Sequence, residues 1–290
     1  MAEARSAPFE YERLEDAAAQ VRLLRLLRSE SMETEEIHCE LTAWPIGQEP
    51  RYAAISYTWG VPGIETAIYI NHKAFAVRSN CLYVLQQAHV NATTDYLWID
   101  AICINQTDAV EKSAQVAMMG DIYRKAVRTN VNIEHASSPQ QLSQTLSIWP
   151  RWVSYELQLS SAFTNHPASQ LTCLWKAIDA LFRRPYFDRL WIIQEVVLSR
   201  TAVVLCGDSS INFDAIKEFE SNLYRYCQDN QVWPREHIEY NRHETLETIS
   251  DFARKYKDAG PTGFDLDELT DRTSNFKCSD PRDRIFGVLS

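Results

Sequence analysis

A chain of 290 residues, 45% apolar and 23% charged, is long enough to bury a substantial core. Its net charge of −10, with no basic stripe between aromatics, excludes nucleic acid and anionic membrane as partners. The most apolar window, Leu190 to Leu198, is too short to span a bilayer, and Met1 to Phe9 shows no secretion signal. Seven scattered cysteines without a CxxC pair read as reduced thiols of the cytosol or nucleus.

In chain order, residues 1–20 read as a loose N-terminal segment. Val21 to Leu27 (VRLLRLL) fits helix or strand, and its pairing with Ile37 to Leu41 across a polar turn favours an opening β-hairpin. Tyr52 to Tyr57 is a strand running into Thr58-Trp59-Gly60. Ala67 to Ile70 and Ala74 to Val77 flank Asn71-His72-Lys73 as a second hairpin, and Ser79 or Asn80 caps a helix to about Ala88.

The stretch from Leu97 to Gln106 (LWIDAICINQ) organises the rest. It reads as a buried strand with Asp100 at its carboxyl end, then a polar loop, then a long helix. Asp108 with Glu111 fits a capping box, and Val116, Met119, Ile122, Tyr123 and Ala126 share one helical face. Open α/β sheets bind ligands at such strand ends.

Further on, Asn130 to Ile133 is a short strand, Ser137 to Ser147 an inserted helix or loop, and Leu171 to Phe182 a helix. Phe187 to Leu198 is a second apolar helix, and Thr201 to Cys206 a strand closed by Gly207-Asp208. Phe213 to Cys227 and Glu244 to Tyr256 are helices, Lys257 to Ser279 a long loop with room for one turn, and Pro281 starts a last helix. The alternation predicts an α/β core over 21–206 with a mainly parallel sheet and hairpin additions, then a helical part over 207–290.

No P-loop, GxGxxG, GxSxG, HExxH or zinc spacing is present, so no metal or cofactor is expected. The remaining candidates are polar residues in apolar surroundings. Glu195 is either a desolvated carboxylate or a helix-edge residue paired with Arg189 or Arg184. Asp100 either faces a ligand or caps the next turn. Trp59 and Gly60 form a ligand platform or a packed corner. Asn105 and Gln106 bond their own loop or reach a ribose or amide.

Four segments resemble successive blocks of the fungal heterokaryon-incompatibility (HET) domain. They are Arg51 to Gly60 (RYAAISYTWG), Leu97 to Gln106 with Asp108, Glu111-Lys112 and Gln115-Val116, Arg184 to Glu195 (RPYFDRLWIIQE), and Asp280 to Leu289 (DPRDRIFGVL). The resemblance implies a cytoplasmic fungal protein of non-self recognition whose domain triggers programmed cell death. The chain departs from the family pattern at Val131-Asn132-Ile133-Glu134, where a Val-Trp-Leu-Gly strand end is usual. Family members generally continue past the last block, so a truncation at 290 is expected.

The order of elements is also similar to TIR domains, which implies a TIR-like, flavodoxin-like layered core and points Trp191 and Glu195 to the segment that carries the glutamate of NAD-cleaving members. Cleavage of the nicotinamide–ribose bond passes through an oxocarbenium-like state and releases a neutral amide, so one carboxylate suffices. On this reading Glu195 is catalytic. Ser56, Tyr57, Trp59, Gly60, Asp100, Asn105 and Trp191 bind substrate, NAD itself, and activity requires self-assembly or a regulatory protein partner. The alternative is a non-catalytic signalling or oligomerisation module with a TIR-like surface.

Overall fold

The computed structural model describes residues 7–27, 36–60, 62–63, 65–90, 94–133, 183–206, 209–230, 240–260 and 264–287. They fall into two compact units, one ending at Asn132 and one beginning at Ile133.

In the first unit, β1 (Gln20–Leu27) and β2 (His38–Pro45) pair antiparallel from Gln20↔Pro45 to Leu27↔His38, the expected opening hairpin. All six residues of β3 (Tyr52–Tyr57) are buried, as an apolar run in mid-sheet requires. β4 (Glu65–Ile70) and β5 (Lys73–Arg78) form the second hairpin. Its turn is two residues, Asn71 at φ 50° and His72 at φ 65°, the left-handed pair that matches strand twist. The Asn71 carboxamide also accepts from Leu41 N (3.0 Å) and donates to Leu41 O (3.1 Å), tying the turn to β2. Helix α1 (Ser79–Val90) follows directly.

The organising stretch differs from its sequence reading. Strand β6 is only Tyr96–Trp98, and Asp100–Cys103 form a short helix α2, closed by Ile102 N and Cys103 N onto Ile99 O. Ile102, Cys103 and Ile104 are all buried, and an unbroken apolar run carries no periodicity to separate strand from buried helix. The expected long helix is two, α3 (Ala109–Ala117) and α4 (Met119–Lys125). They break at Met118 (φ −97°, ψ −3°), whose N–H is shared between the Gln115 and Val116 carbonyls. Asp108 caps α3 through Val110 N and Glu111 N as expected. Glu111, however, turns inward instead of returning to the cap.

With strand β7 (Arg128–Asn132) the strands of the first unit take the order β5-β4-β2-β1-β6-β3-β7. The sheet is mixed. β3 runs parallel to β6 and β7 and β2 parallel to β4, while the hairpins and the β1–β6 seam are antiparallel. The expected parallel character is thus strongest in the β6-β3-β7 block, because the opening hairpin inserts into the sheet.

In the second unit, Pro185–Asp188 form one 3-10 turn and α5 spans Ile192–Val197. The helix expected from Phe187 starts late because Asp188 and Leu190 are bound to Lys277 through Lys277 N to Asp188 O (2.5 Å) and Leu190 N to Lys277 O (2.9 Å). β8 (Ala202–Cys206) and β9 (Ser209–Asn212) pair antiparallel and lead into α6 (Phe213–Asn230) and α7 (Tyr240–Ala259). α7 packs on α5 and buries Ile249 and Phe252. The expected loop after it contains α8 (Leu266–Arg272), capped by Asp265, and the last helix α9 (Asp283–Phe286) begins past Pro281. The segments 137–147 and 171–182 lie outside the described residues.

Candidate functional site

Strands β3 and β6 both have polar residues just past their carboxyl ends. After β3 the chain turns through Thr58, Trp59 and Gly60, and this loop is held from the β5–α1 junction. Arg78 donates to Gly60 O (3.3 Å) with its guanidinium 5.9 Å from the Trp59 ring centre, and Asn80 donates to Thr58 O (2.9 Å). Gly60 has φ +77°, and a Cβ there would lie 2.7 Å from Asn80 Nδ2, so both backbone conformation and space call for glycine.

The Trp59 indole N–H donates to Asp100 Oδ2 at 2.8 Å, joining the β3 and β6 strand ends. The other Asp100 oxygen accepts from Ala101 N (2.7 Å), so the carboxylate begins α2 and receives an indole at once. Asp100 thus bonds the backbone of its own turn, as one open reading had it, and the neighbouring indole, while remaining half-buried. On either side of this bond, Thr58 Oγ1 and Gln106 Oε1 are buried and find no hydrogen-bond partner among the described residues. Sequence reasoning passed over Thr58, and the only signal for it was its place beside Trp59.

Ser56 and Tyr57 are both buried, but consecutive strand residues project to opposite faces. The Tyr57 hydroxyl donates to the Cys81 thiol of α1. Burial pushes that thiol up to about 12, against which the tyrosine bond works. Asn105 turns its side-chain oxygen to Thr107 N (3.1 Å) and Thr107 Oγ1 (2.7 Å), the loop-bonding alternative. Asn130 and Asn132, two apart on β7, carry buried side-chain oxygens with no partner among the described residues.

In the second unit, Glu195 on α5 is 1% exposed and meets Arg189 in a forked pair, Nη2–Oε1 at 3.0 Å and Nη1–Oε2 at 3.4 Å. The Arg189 guanidinium lies 5.6 Å from the Tyr186 ring centre. Glu195 is thus paired with Arg189, and it is buried instead of sitting at a helix edge. The Trp191 indole donates to Asp283 Oδ2 (3.2 Å), and Gln194 donates to Phe286 O (2.5 Å). A Cβ on Gly287 would meet Leu190 Cδ2 at 3.0 Å, so the start of α5 and the α9 turn interlock.

The four sequence blocks are thus joined two by two. The first meets the second through Trp59 and Asp100, and the third meets the fourth through Trp191, Gln194, Asp283 and Phe286. Among the described residues, no group of His, Cys, Asp and Glu could hold a metal ion. No helix among them is long and apolar enough to cross a membrane.

Residues 52–195 match the family model described as heterokaryon incompatibility protein (HET). The chain is also similar to heterokaryon incompatibility protein 6, OR allele, of Neurospora crassa, at 30% identity over 232 residues, or 67% of this chain and 34% of the relative. It spans about a third of that relative's length. No solved structure matches it. With its four blocks in order and interlocked, this chain is a fungal heterokaryon incompatibility (HET) domain protein.

Proposed function

We propose that this protein acts in fungal non-self recognition, and that its HET domain triggers programmed cell death as a signalling module that works by assembly. Family membership supports the recognition role, as does the similarity to a protein named for heterokaryon incompatibility. The module reading is carried by one observation. Glu195, the carboxylate best placed by analogy to do chemistry, is buried with both oxygens on Arg189. A carboxylate held in this way is explained by packing, because a buried charge needs its partner.

The test is inducible expression in a fungal host, with viability and septal-cell death as readouts. An Arg189→Met/Glu195→Leu double variant replaces the pair by apolar side chains of similar volume. A module retains killing in this variant. Lost killing in a variant that still folds overturns the module reading and moves the role to Glu195 chemistry.

A second reading, NAD cleavage in a TIR-like core, is favoured by the Trp59–Asp100 corner. A half-exposed carboxylate, an indole and two unpartnered polar atoms gather there at the carboxyl ends of parallel strands, where such sheets bind nucleotides. In that reading a carboxylate offsets the positive charge that develops on the ribose. Nicotinamide release, followed by chromatography across protein concentration, tests it. Release that persists in Glu195→Gln removes Glu195 from the mechanism.

A further inference from the structure

The outer edge of the first unit's sheet is β5, and the chain covers it with its own beginning. Ala74 points its backbone away from β4. Its N–H donates to Ala7 O (3.2 Å) and its carbonyl accepts from Phe9 N (2.8 Å), so Pro8 and Ala74 pair as a short parallel bridge. Phe9, Tyr11 and Phe75 then meet edge-on, with ring centres 5.0, 5.7 and 6.1 Å apart. Beyond Phe9 the segment leaves the edge. The Tyr11 hydroxyl donates to Ile102 O (2.8 Å), and Glu12 O accepts from Arg22 (2.7 Å).

This strap is thinly held. Ala7, Pro8, Glu10 and Glu12 are exposed, and Phe9 and Tyr11 only half-buried. A cleft of ≈250 Å³ runs beneath it, walled by Glu12 and Leu14 on one side and by Arg22, Leu41 and Lys73 on the other. Among the described residues the ladder on this edge stops at Ala74, and Ala76 is exposed.

We propose that the β5 edge is an assembly surface, occupied in the single chain by its own residues 7–11 and in the assembled form by the same residues of a second copy. A sheet edge is a template for strand addition, and the sequence that fits this one is already in place on it. An identical segment from another copy remakes every contact, so exchange costs little and is driven by concentration. The proposal rests on the reading that the domain signals by assembly.

The test uses two variants of the 290-residue chain. Phe9→Ala/Tyr11→Ala leaves an open edge and a strap that docks nowhere. Ala74→Pro leaves a sound strap and an edge that cannot receive it, while the N–H lost is one that does not bond to β4. Phe75→Ala serves as a second receiving-edge variant should the proline disturb the hairpin. Sedimentation of the separately labelled variants is expected to show association in the mixture at least about tenfold stronger than in either alone, from the lost ring contacts and hydrogen bonds. Excess peptide of residues 7–12 (APFEYE) is expected to dissolve the complex. A mixture that associates no better than its components, with both folded by circular dichroism, overturns the exchange. No cell-death readout enters, so association without killing leaves the exchange standing and counts against the signalling reading alone.

Discussion

Arg22 of β1 and Glu111 of α3, 89 residues apart, form a buried forked ion pair with contacts of 2.5 and 2.9 Å. The two residues are 3% and 5% exposed. Arg22 also donates to Cys103 O (3.3 Å) and Glu12 O, and Glu111 also accepts from Asn105 N (2.8 Å). The pair therefore anchors the loop between Asp100 and Asp108 to the first strand. Removing one partner leaves a buried charge without compensation, at a cost of about 3–5 kcal/mol. Glu111→Ala and Arg22→Ala are each expected to lower the unfolding free energy by that amount, measured by urea titration. Arg22→Met/Glu111→Leu is expected to lose less than either single change. Additive losses in the double variant would mean that the two residues stabilise the chain independently.

Little of that pair was legible in the sequence. Arg22 sits in a run that fits helix or strand, and Glu111 in a capping pattern that already accounts for it. Nothing in local spacing says that one reaches the other, since only the tertiary fold brings them together. The strands themselves were legible, because β3 and the Asn71–His72 hairpin carry local signals in burial and turn chemistry. The LWIDAICINQ stretch, read as a strand ending at Asp100 and a polar loop, instead turns into a short helix at Asp100, for the opposite reason. It is apolar on every side, so the switch to helix at Asp100 leaves no periodic trace. At the candidate site, Trp59 and Asp100 were named separately, and their direct bond is a product of strand order.

Gly60 sets the geometry of that bond. Its left-handed φ of +77° and the 2.7 Å approach of Asn80 Nδ2 both oppose a side chain. Gly60→Ala is expected to cost about 1–2 kcal/mol through the αL penalty, and to push Asn80 off Thr58 O. Because Trp59 directly precedes Gly60 in the chain, its indole should leave Asp100. A red shift of the Trp59 contribution to fluorescence, taken as the difference from Trp59→Phe in each background, is the readout. An unshifted spectrum would show that the loop absorbs the change without moving Trp59.

Arg189 and Glu195 are unequal partners. The Glu195 side chain is 2% exposed and that of Arg189 19%, so a stranded arginine reaches water more easily than a stranded carboxylate. Arg189→Ala is therefore expected to destabilise the second unit more than Glu195→Ala, by about 1 kcal/mol or more. Arg189→Lys keeps the charge but not the fork, and should fall between wild type and Arg189→Ala. Denaturant titration ranks the three. The reverse order would mean that a stranded Arg189 costs more than a stranded Glu195, and that the difference in exposure does not decide the pair.

Three thiols give the first unit a base-sensitive core. Burial pushes Cys39, Cys81 and Cys103 up from 9.0 to about 12. A raised folded-state pKa favours the neutral thiol in the fold, so its contribution is whole below about pH 9 and is lost as pH rises towards 12. Denaturation midpoints measured from pH 8 to 11 should fall, and a Cys39→Ala/Cys81→Ala/Cys103→Ala variant should flatten the part of the fall that the thiols cause. The same burial predicts selective labelling. At pH 8 iodoacetamide should modify the half-buried Cys278 well before these three, which should react only as the first unit opens. Peptide mass mapping over time separates the sites. Early modification of Cys103, which is 0% exposed, would show that the α2 turn opens far more often than its packing implies.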